Sequence, residues 1–198
     1  MSAGAIGLSS FPHHLYAGEI KKFAHDRVTL GSTGIEVSRM AMGTGTRGWN
    51  GSSNQTRSLG IKGLSDLLRN SYDNGITFFE TADQYGSHPH IQEALKKIPR
   101  EKVVILTKTV ANTADEMKED LDRFRKELGT DYIDIILMHA LQADNWNVQK
   151  KGVMEVLSQA REDGILRAHG VSCHSFMAME TAADEPWAQL MLSRYNPG

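Results

Sequence analysis

The sequence predicts an α/β fold, a parallel sheet of the (β/α) TIM-type barrel class with a small N-terminal β-hairpin before it. Two observations favour this class. Short β-branched or apolar runs alternate with longer segments whose apolar residues recur at helical spacing. Polar and ionisable residues follow the ends of successive runs, where barrels of this type place their functional groups. Because each helical segment is long enough for a crossover, the strands are expected to be parallel.

Six runs have the length and composition of buried strands. They lie at residues 39–44, 76–79, 103–107, 132–138, 165–172 and 188–194. Before the first of them, residues 28–30 and 35–37 flank a Gly-Ser-Thr-Gly turn, which predicts a hairpin outside the repeating pattern.

The segments between the runs carry the apolar stripes of amphipathic helices. Thr113 and Glu116 form a capping-box pattern at the start of one segment. Glycines at 75, 129 and 164 predict helix ends before the next strand. The predicted core-facing residues are Leu64, Leu67, Leu68 and Tyr72; Ile91, Ala94, Leu95 and Ile98; Met117, Leu121, Phe124 and Leu128; and Val153, Val156, Leu157 and Ala160.

Composition excludes several classes of function. With 22 Lys and Arg against 24 Asp and Glu, the chain has no basic excess for binding nucleic acid. It contains no run of about 18 apolar residues, so no membrane span is expected. The single cysteine, Cys173, cannot form an intrachain disulfide, which favours a reducing, cytoplasmic compartment.

The N-terminal residues are expected to lie outside the fold. Residues 1–24 are interpreted as an N-terminal extension, and residues 25–198 as one barrel domain. The apolar stretch at 3–8 lacks the positive region of a complete signal peptide. If it is the remnant of a signal peptide, the protein is exported instead.

Four ionisable side chains follow successive strands and predict a proton-donating site. Glu80 and Tyr85 follow the second run, Lys108 the third and His139 the fourth. A nearby ammonium stabilises phenolate, so Lys108 is expected to lower the pKa of Tyr85, with a carboxylate keeping the lysine charged. A histidine can then orient a substrate oxygen.

Several of these segments resemble motifs of the aldo-keto reductase family. FETADQYG at 79–86, VILTK at 104–108, DIILMH at 134–139 and GVS at 170–172 match that family in order and spacing. The resemblance covers the chain from about residue 28 onward. It implies reduction of a small-molecule carbonyl substrate with NADP(H), with Tyr85 as the acid assisted by Lys108, His139 and Glu80. It also implies that Gly43, Thr44, Ser172 and Cys173 bind the cofactor.

Three features differ from the family pattern. Glu80 stands where the family has aspartate, and a misplacement of about 1 Å in an active site is costly. Cys173 and Leu192 stand where asparagine and glutamine are common, so a weaker grip on the nicotinamide is expected. A complete barrel has about 250 residues and eight strands, so this chain is expected to be truncated after about six. Its open strand edges then predict weak NADPH binding and self-association.

Two alternative functions compete with the reductase. Eight histidines permit a metal-dependent hydrolase with a site formed by His88, His90, His139 and His174. Glu80 and the early end of the sequence permit an inactive or redox-sensing relative that keeps the fold without turnover. Gly43, Gly45 and Gly48 satisfy G-x-G-x-x-G, but no helix opening follows, so a dinucleotide-binding Rossmann motif is not expected.

Overall fold

The computed structural model describes residues 21–194. Most of the predicted N-terminal extension, including the stretch considered as a signal-peptide remnant, lies outside the described residues. The described part begins with the predicted hairpin, in which β1 (Arg27–Thr29) pairs antiparallel with β2 (Glu36–Ser38). No helix within residues 21–194 is long and apolar enough to cross a membrane.

The six predicted strands form one parallel sheet that curls into a half-barrel. They follow each other in sequence order, so each strand lies beside the next one along the chain. Their bounds are β3 (Ala41–Gly43), β4 (Phe78–Glu80), β5 (Val104–Thr109), β6 (Ile133–Leu141), β7 (Leu166–Cys173) and β8 (Leu190–Leu192). The predicted fold class is therefore confirmed.

Within the described part of the chain, six α-helices connect the strands. They are α1 (Asn54–Asp73), α2 (His88–Leu95), α3 (Ala114–Leu128), α4 (Trp146–Gln149), α5 (Lys151–Glu162) and α6 (Phe176–Asp184). The predicted capping box opens α3: the Thr113 side chain accepts from the Glu116 amide at 3.2 Å, and the Glu116 carboxylate accepts from the Thr113 amide. Two short 3₁₀ turns follow strand and helix ends at Asp83–Tyr85 and Arg100–Lys102.

Hydrophobic residues bury both faces of the sheet. On the outer face, Leu64, Leu68, Phe124 and Leu157 of the helices pack against strand residues such as Ile105. The prediction that Leu67 faces the core is wrong, since its side chain is 37% exposed. The apolar stripe of α1 that faces the sheet is narrow and includes Leu64 and Leu68 but not Leu67.

The hairpin fills the inner face. Ile35 and Val37 pack against a second cluster made of Val104, Leu106, Ile135, Leu137 and Ala168, which point from the opposite side of the strands. The hairpin therefore lies against the amino-terminal part of the curled sheet and leaves the carboxyl-terminal edge of the strands for other groups.

His169 on β7 makes stability depend on pH. Its ring stacks on Trp187 with centroids 4.2 Å apart, and burial, with Arg161 nearby, lowers its pKa to about 4. In the unfolded chain the ring regains its ordinary pKa of 6.5, so its contribution is present above pH 6.5 and is lost as pH falls towards 4. His169→Phe keeps the aromatic stack but removes the titrating group. We expect the free energy of unfolding to fall less between about pH 7.5 and about pH 5 in this variant, by on the order of 1 kcal/mol. Urea unfolding at both pH values measures this, and an unchanged difference would contradict it.

Candidate active site

The carboxyl-terminal edge of the parallel sheet brings the predicted catalytic side chains together. Glu80 ends β4, Lys108 lies near the end of β5, and His139 lies near the end of β6. Tyr85 is carried back to the same edge by the 3₁₀ turn that follows β4. Tyr85, Lys108 and His139 line a cleft of about 530 Å³, and Glu80 contacts Lys108 from behind it.

Lys108 contacts both Glu80 and Tyr85. Its side chain is 1% exposed, and its ammonium donates to the Glu80 carboxylate, to the Thr81 carbonyl at 2.8 Å and to the Tyr85 hydroxyl at 3.2 Å. The three contacts match the three donors of an ammonium group. Burial lowers the pKa of Lys108, and the Glu80 carboxylate opposes this change. Glu80 therefore helps to keep the buried lysine charged.

The phenol of Tyr85 does not have the lowered pKa expected from the sequence. Burial and the negative charge of Glu80 raise it to about 12, while Arg194 opposes them. The physical reason is that ionising Tyr85 would create a largely buried phenolate close to the negative charge of Glu80. Tyr85 is therefore fully protonated near neutral pH, as a proton donor must be.

His139 is a neutral ring beside the phenol. Its ring is 5.7 Å from that of Tyr85, edge to face, and the side chain is 9% exposed. Burial, together with Lys108 and His174, lowers its pKa to about 4. Its Nδ1 is buried and has no hydrogen-bond partner among residues 21–194. The ring thus faces the site as an uncharged group with unused hydrogen-bonding capacity.

Two glycines shape the pocket around Tyr85. A Cβ atom on Gly45 or Gly48 would overlap the Tyr85 ring itself. Both glycines lie in the loop after β3, which packs against the ring at close range. Gly45 and Gly48 belong to the G-x-G-x-x-G pattern for which no dinucleotide-binding role was expected. Because they have no side chain, they let this backbone approach the phenol.

We expect Gly45→Ala to reduce kcat/KM by about 10-fold to 100-fold, because the added methyl displaces the Tyr85 ring from Lys108. Steady-state kinetics with thermal unfolding measures the effect. Gly63→Ala is the matched control, since its methyl meets only the side chain of the exposed Leu59. Unchanged kinetics in Gly45→Ala would show that the position of the ring does not matter.

The four predicted cofactor residues divide into two pairs. Ser172 and Cys173, at the end of β7, line the cleft beside Lys108. Gly43 and Thr44 lie behind it. A Cβ on Gly43 would lie 3.3 Å from the Glu80 carboxylate, and the buried Thr44 hydroxyl donates to the Glu80 carbonyl at 3.1 Å. Their visible role is to accommodate and fix Glu80.

Of these residues, one has a side chain in the cleft that could hold the nicotinamide end of a cofactor. The Ser172 hydroxyl can donate to or accept from a carboxamide. The Cys173 thiol already lies 3.5 Å from the Ala178 carbonyl, and burial raises its pKa to about 11. It is a weak donor, and the apolar Leu192 also lines the cleft. Ser172 is therefore the better candidate contact.

The histidines proposed for a metal site do not converge. His88 is held between the Glu127 carboxylate and the Thr107 hydroxyl, each at 2.7 Å. His139 and His174 line the cleft, with ring centroids 6.2 Å apart. Within residues 21–194, no group of three or more His, Cys, Asp or Glu side chains is arranged to hold a metal ion. The structure gives the hydrolase alternative no support.

The sequence interpretation missed several residues that line the cleft. Arg47 and Trp49 follow β3, Gln142 follows β6, and Arg194 follows β8. All four come from connections at the same carboxyl-terminal edge, which is the signal that could have indicated them. Their side chains form the mouth of the cleft around the buried Lys108.

A family comparison decides the identity of this arrangement. The model of the aldo/keto reductase family matches residues 39–196, which is most of the chain. The chain belongs to the aldo-keto reductase family. It is 31% identical over 174 residues to aldo-keto reductase YhdN of Bacillus subtilis, a match that covers 77% of this chain and 48% of the relative.

Two further similarities agree with this assignment. The NADH-specific methylglyoxal reductase of Escherichia coli is 28% identical over 173 residues, covering 74% of this chain and 51% of the relative. The crystal structure of the thermostable aldo-keto reductase Tm1743, in complex with the inhibitor epalrestat, superposes with a TM-score of 0.71 at 25% identity. That match covers 86% of this chain and 62% of the solved one. The chain thus spans about half the length of the curated relatives it matches.

Proposed function

We propose that this aldo-keto reductase chain reduces aldehydes or ketones with NADP(H), with Tyr85 as the proton donor. One observation carries the proposal: a buried ammonium, Lys108, is shared between the Glu80 carboxylate and the Tyr85 hydroxyl at the wall of a cleft. A neutral His139 ring completes the group. A protonated phenol beside a fixed positive charge is the arrangement that proton donation to a carbonyl oxygen requires.

The side chains have distinct roles in this mechanism. A bound nicotinamide supplies the hydride. The Tyr85 hydroxyl gives its proton to the carbonyl oxygen as that oxygen becomes an alkoxide, a stronger base than phenolate. Lys108 stabilises the resulting phenolate, and Glu80 holds Lys108 in its charged form. His139, being neutral, orients the substrate oxygen by a hydrogen bond. Tyr85 regains its proton from solvent, and the reverse steps oxidise an alcohol.

The cofactor preference is part of the proposal. Resemblance to the family supports NADP(H), whereas one of the matched relatives is named as NADH-specific. Ser172 and Cys173, which line the cleft, are proposed to lie nearest the nicotinamide, with Ser172 making the direct contact. Gly43 and Thr44 are proposed to support the cofactor site from behind, through Glu80. Titration of the chain with NADPH and with NADH, followed by cofactor fluorescence, distinguishes the two.

The decisive experiment is a reductase screen. The chain is mixed with each cofactor and a set of aldehydes, ketones and sugars, and oxidation of the cofactor is followed by its absorbance. Turnover that depends on both carbonyl and cofactor is expected. Cofactor binding without turnover on any carbonyl would instead support the inactive or redox-sensing relative.

Assembly and location are proposed on separate grounds. In the described residues, β3 and β8 are the edge strands of the sheet, and the exposed Met191 lies on β8. Self-association through these edges is proposed, and light scattering tests it. A cytoplasmic location is supported by the single, buried cysteine, Cys173. Cell fractionation tests it against export.

A further inference from the structure

Two arginines stand at the mouth of the cleft and take no part in the proposed proton transfer. Arg47 follows β3 and Arg194 follows β8, so they approach the cleft from the two edge strands of the sheet. Both side chains are exposed. Neither guanidinium forms an ion pair with any residue between 21 and 194. Two unpaired positive charges therefore border the space in which the reaction would occur.

No acidic side chain balances these charges among the cleft-lining residues that the structure describes. None of the described residues that line the cleft is Asp or Glu. The Glu80 carboxylate behind the cleft is paired with Lys108, and Asp83 on the adjacent turn pairs with Arg123 at 2.6 Å. The positive charge of Arg194 also acts on the reacting group, since it counteracts the rise in the Tyr85 pKa. The cleft thus presents a positive field to its ligand.

The loop that carries Arg47 is held in place by its backbone. The Gly48 amide donates to the Gly45 carbonyl at 2.8 Å, and the Asn54 amide donates to the Thr46 carbonyl at 2.9 Å. Arg47 itself has a left-handed φ of 49°, a conformation that an arginine rarely adopts. This loop places Arg47 and Trp49 together in the lining of the cleft.

We propose that the cleft selects carbonyl substrates that carry a carboxylate, bound at its mouth by Arg47 and Arg194. A planar guanidinium binds a carboxylate through two parallel hydrogen bonds, and it stays charged at every physiological pH. Binding at the mouth leaves the carbonyl end of such a substrate free to reach Tyr85. The inference rests on the proposed function, because it names the substrate class of the same site.

A pair of aldehydes tests the proposal directly. Para-formylbenzoate and para-formylbenzamide have the same ring and aldehyde and differ in a carboxylate against a neutral amide. Their Kd values are measured by quenching of tryptophan fluorescence, and their kcat/KM values with NADPH. We expect the carboxylate to be preferred by about 10-fold or more at low salt, with the preference shrinking as salt screens the charges. Arg47→Gln and Arg194→Gln should each remove most of it.

Controls keep the test decisive. Arg125→Gln changes a helix-surface arginine that pairs with Asp122 at 2.5 Å, and it should keep the full preference. Arg47→Lys retains the charge and should keep part of it, which separates loss of charge from loss of folding. NADPH affinity is measured for each variant, because the cofactor phosphates are a second source of anionic groups.

Each outcome decides the matter. A carboxylate preference that the two glutamine variants abolish supports the proposal, even if no carbonyl is turned over and the proposed function fails. Equal Kd values for the two aldehydes in the unmodified chain overturn it. Variants that lose NADPH affinity but keep the preference for the carboxylate also overturn it, since the arginines would then bind cofactor phosphate.

Discussion

Tyr85→Phe is expected to reduce turnover by about 100-fold or more while leaving cofactor affinity nearly unchanged. The substitution removes only the hydroxyl. The phenyl ring still fits against Gly45 and Gly48, and Lys108 keeps its bonds to Glu80 and to the Thr81 carbonyl. What is lost is the proposed proton donor and one contact of 3.2 Å to the ammonium. Steady-state kinetics and cofactor titration on the same preparation measure the two effects separately.

Tyr72→Phe is the matched control for this experiment. Tyr72 lies on α1 and packs partly buried against the outer hydrophobic core, away from the cleft. Its variant should keep turnover within about 2-fold, as substitutions away from special features usually do. If Tyr85→Phe also kept near-normal turnover, Tyr85 could not be the proton donor.

Much of the fold could be predicted because its signals are local. The hydrophobic runs that became β5, β6 and β7 are buried along nearly their whole length, as central parallel strands must be. The capping box at Thr113 and the stop at Gly129, which adopts a left-handed φ of 66°, are set by neighbouring residues alone. Once the strands are parallel, Glu80, Lys108 and His139 must share one edge.

What could not be predicted depends on contacts between distant segments. The raised pKa of Tyr85 follows from burial and from the negative charge of Glu80, and no local pattern contains either. Arg47 and Arg194 both line the cleft, although they follow strands at opposite edges of the sheet. Leu67 has the spacing of a core residue, and only the packing of α1 against the sheet leaves it exposed. These features require the tertiary structure.

Breaking the ion pair between Glu80 and Lys108 is expected to have a second large effect on kcat/KM. Glu80→Gln leaves a buried ammonium without its counter-charge, and burial then lowers the pKa of Lys108 further. We expect kcat/KM to fall by about 10-fold or more, because a neutral lysine cannot stabilise the phenolate. Glu80→Asp keeps the charge and restores the residue common in the family, so activity should be preserved or raised. Glu93→Gln, on an exposed carboxylate paired with Lys96, is the control.

The pH profile separates this electrostatic role from a structural one. If Glu80 keeps Lys108 protonated, the alkaline limb of kcat/KM should move to lower pH in Glu80→Gln, because the lysine loses its proton earlier. The same substitution removes a charge that raises the pKa of Tyr85, which shifts that group downward as well. Both changes move the limb in one direction, whereas a merely loosened fold would lower the rate without moving it. Equal activity and equal pH profiles for the unmodified chain, Glu80→Gln and Glu80→Asp would show that the carboxylate plays no part, and the negative charge beside Lys108 would then need another explanation.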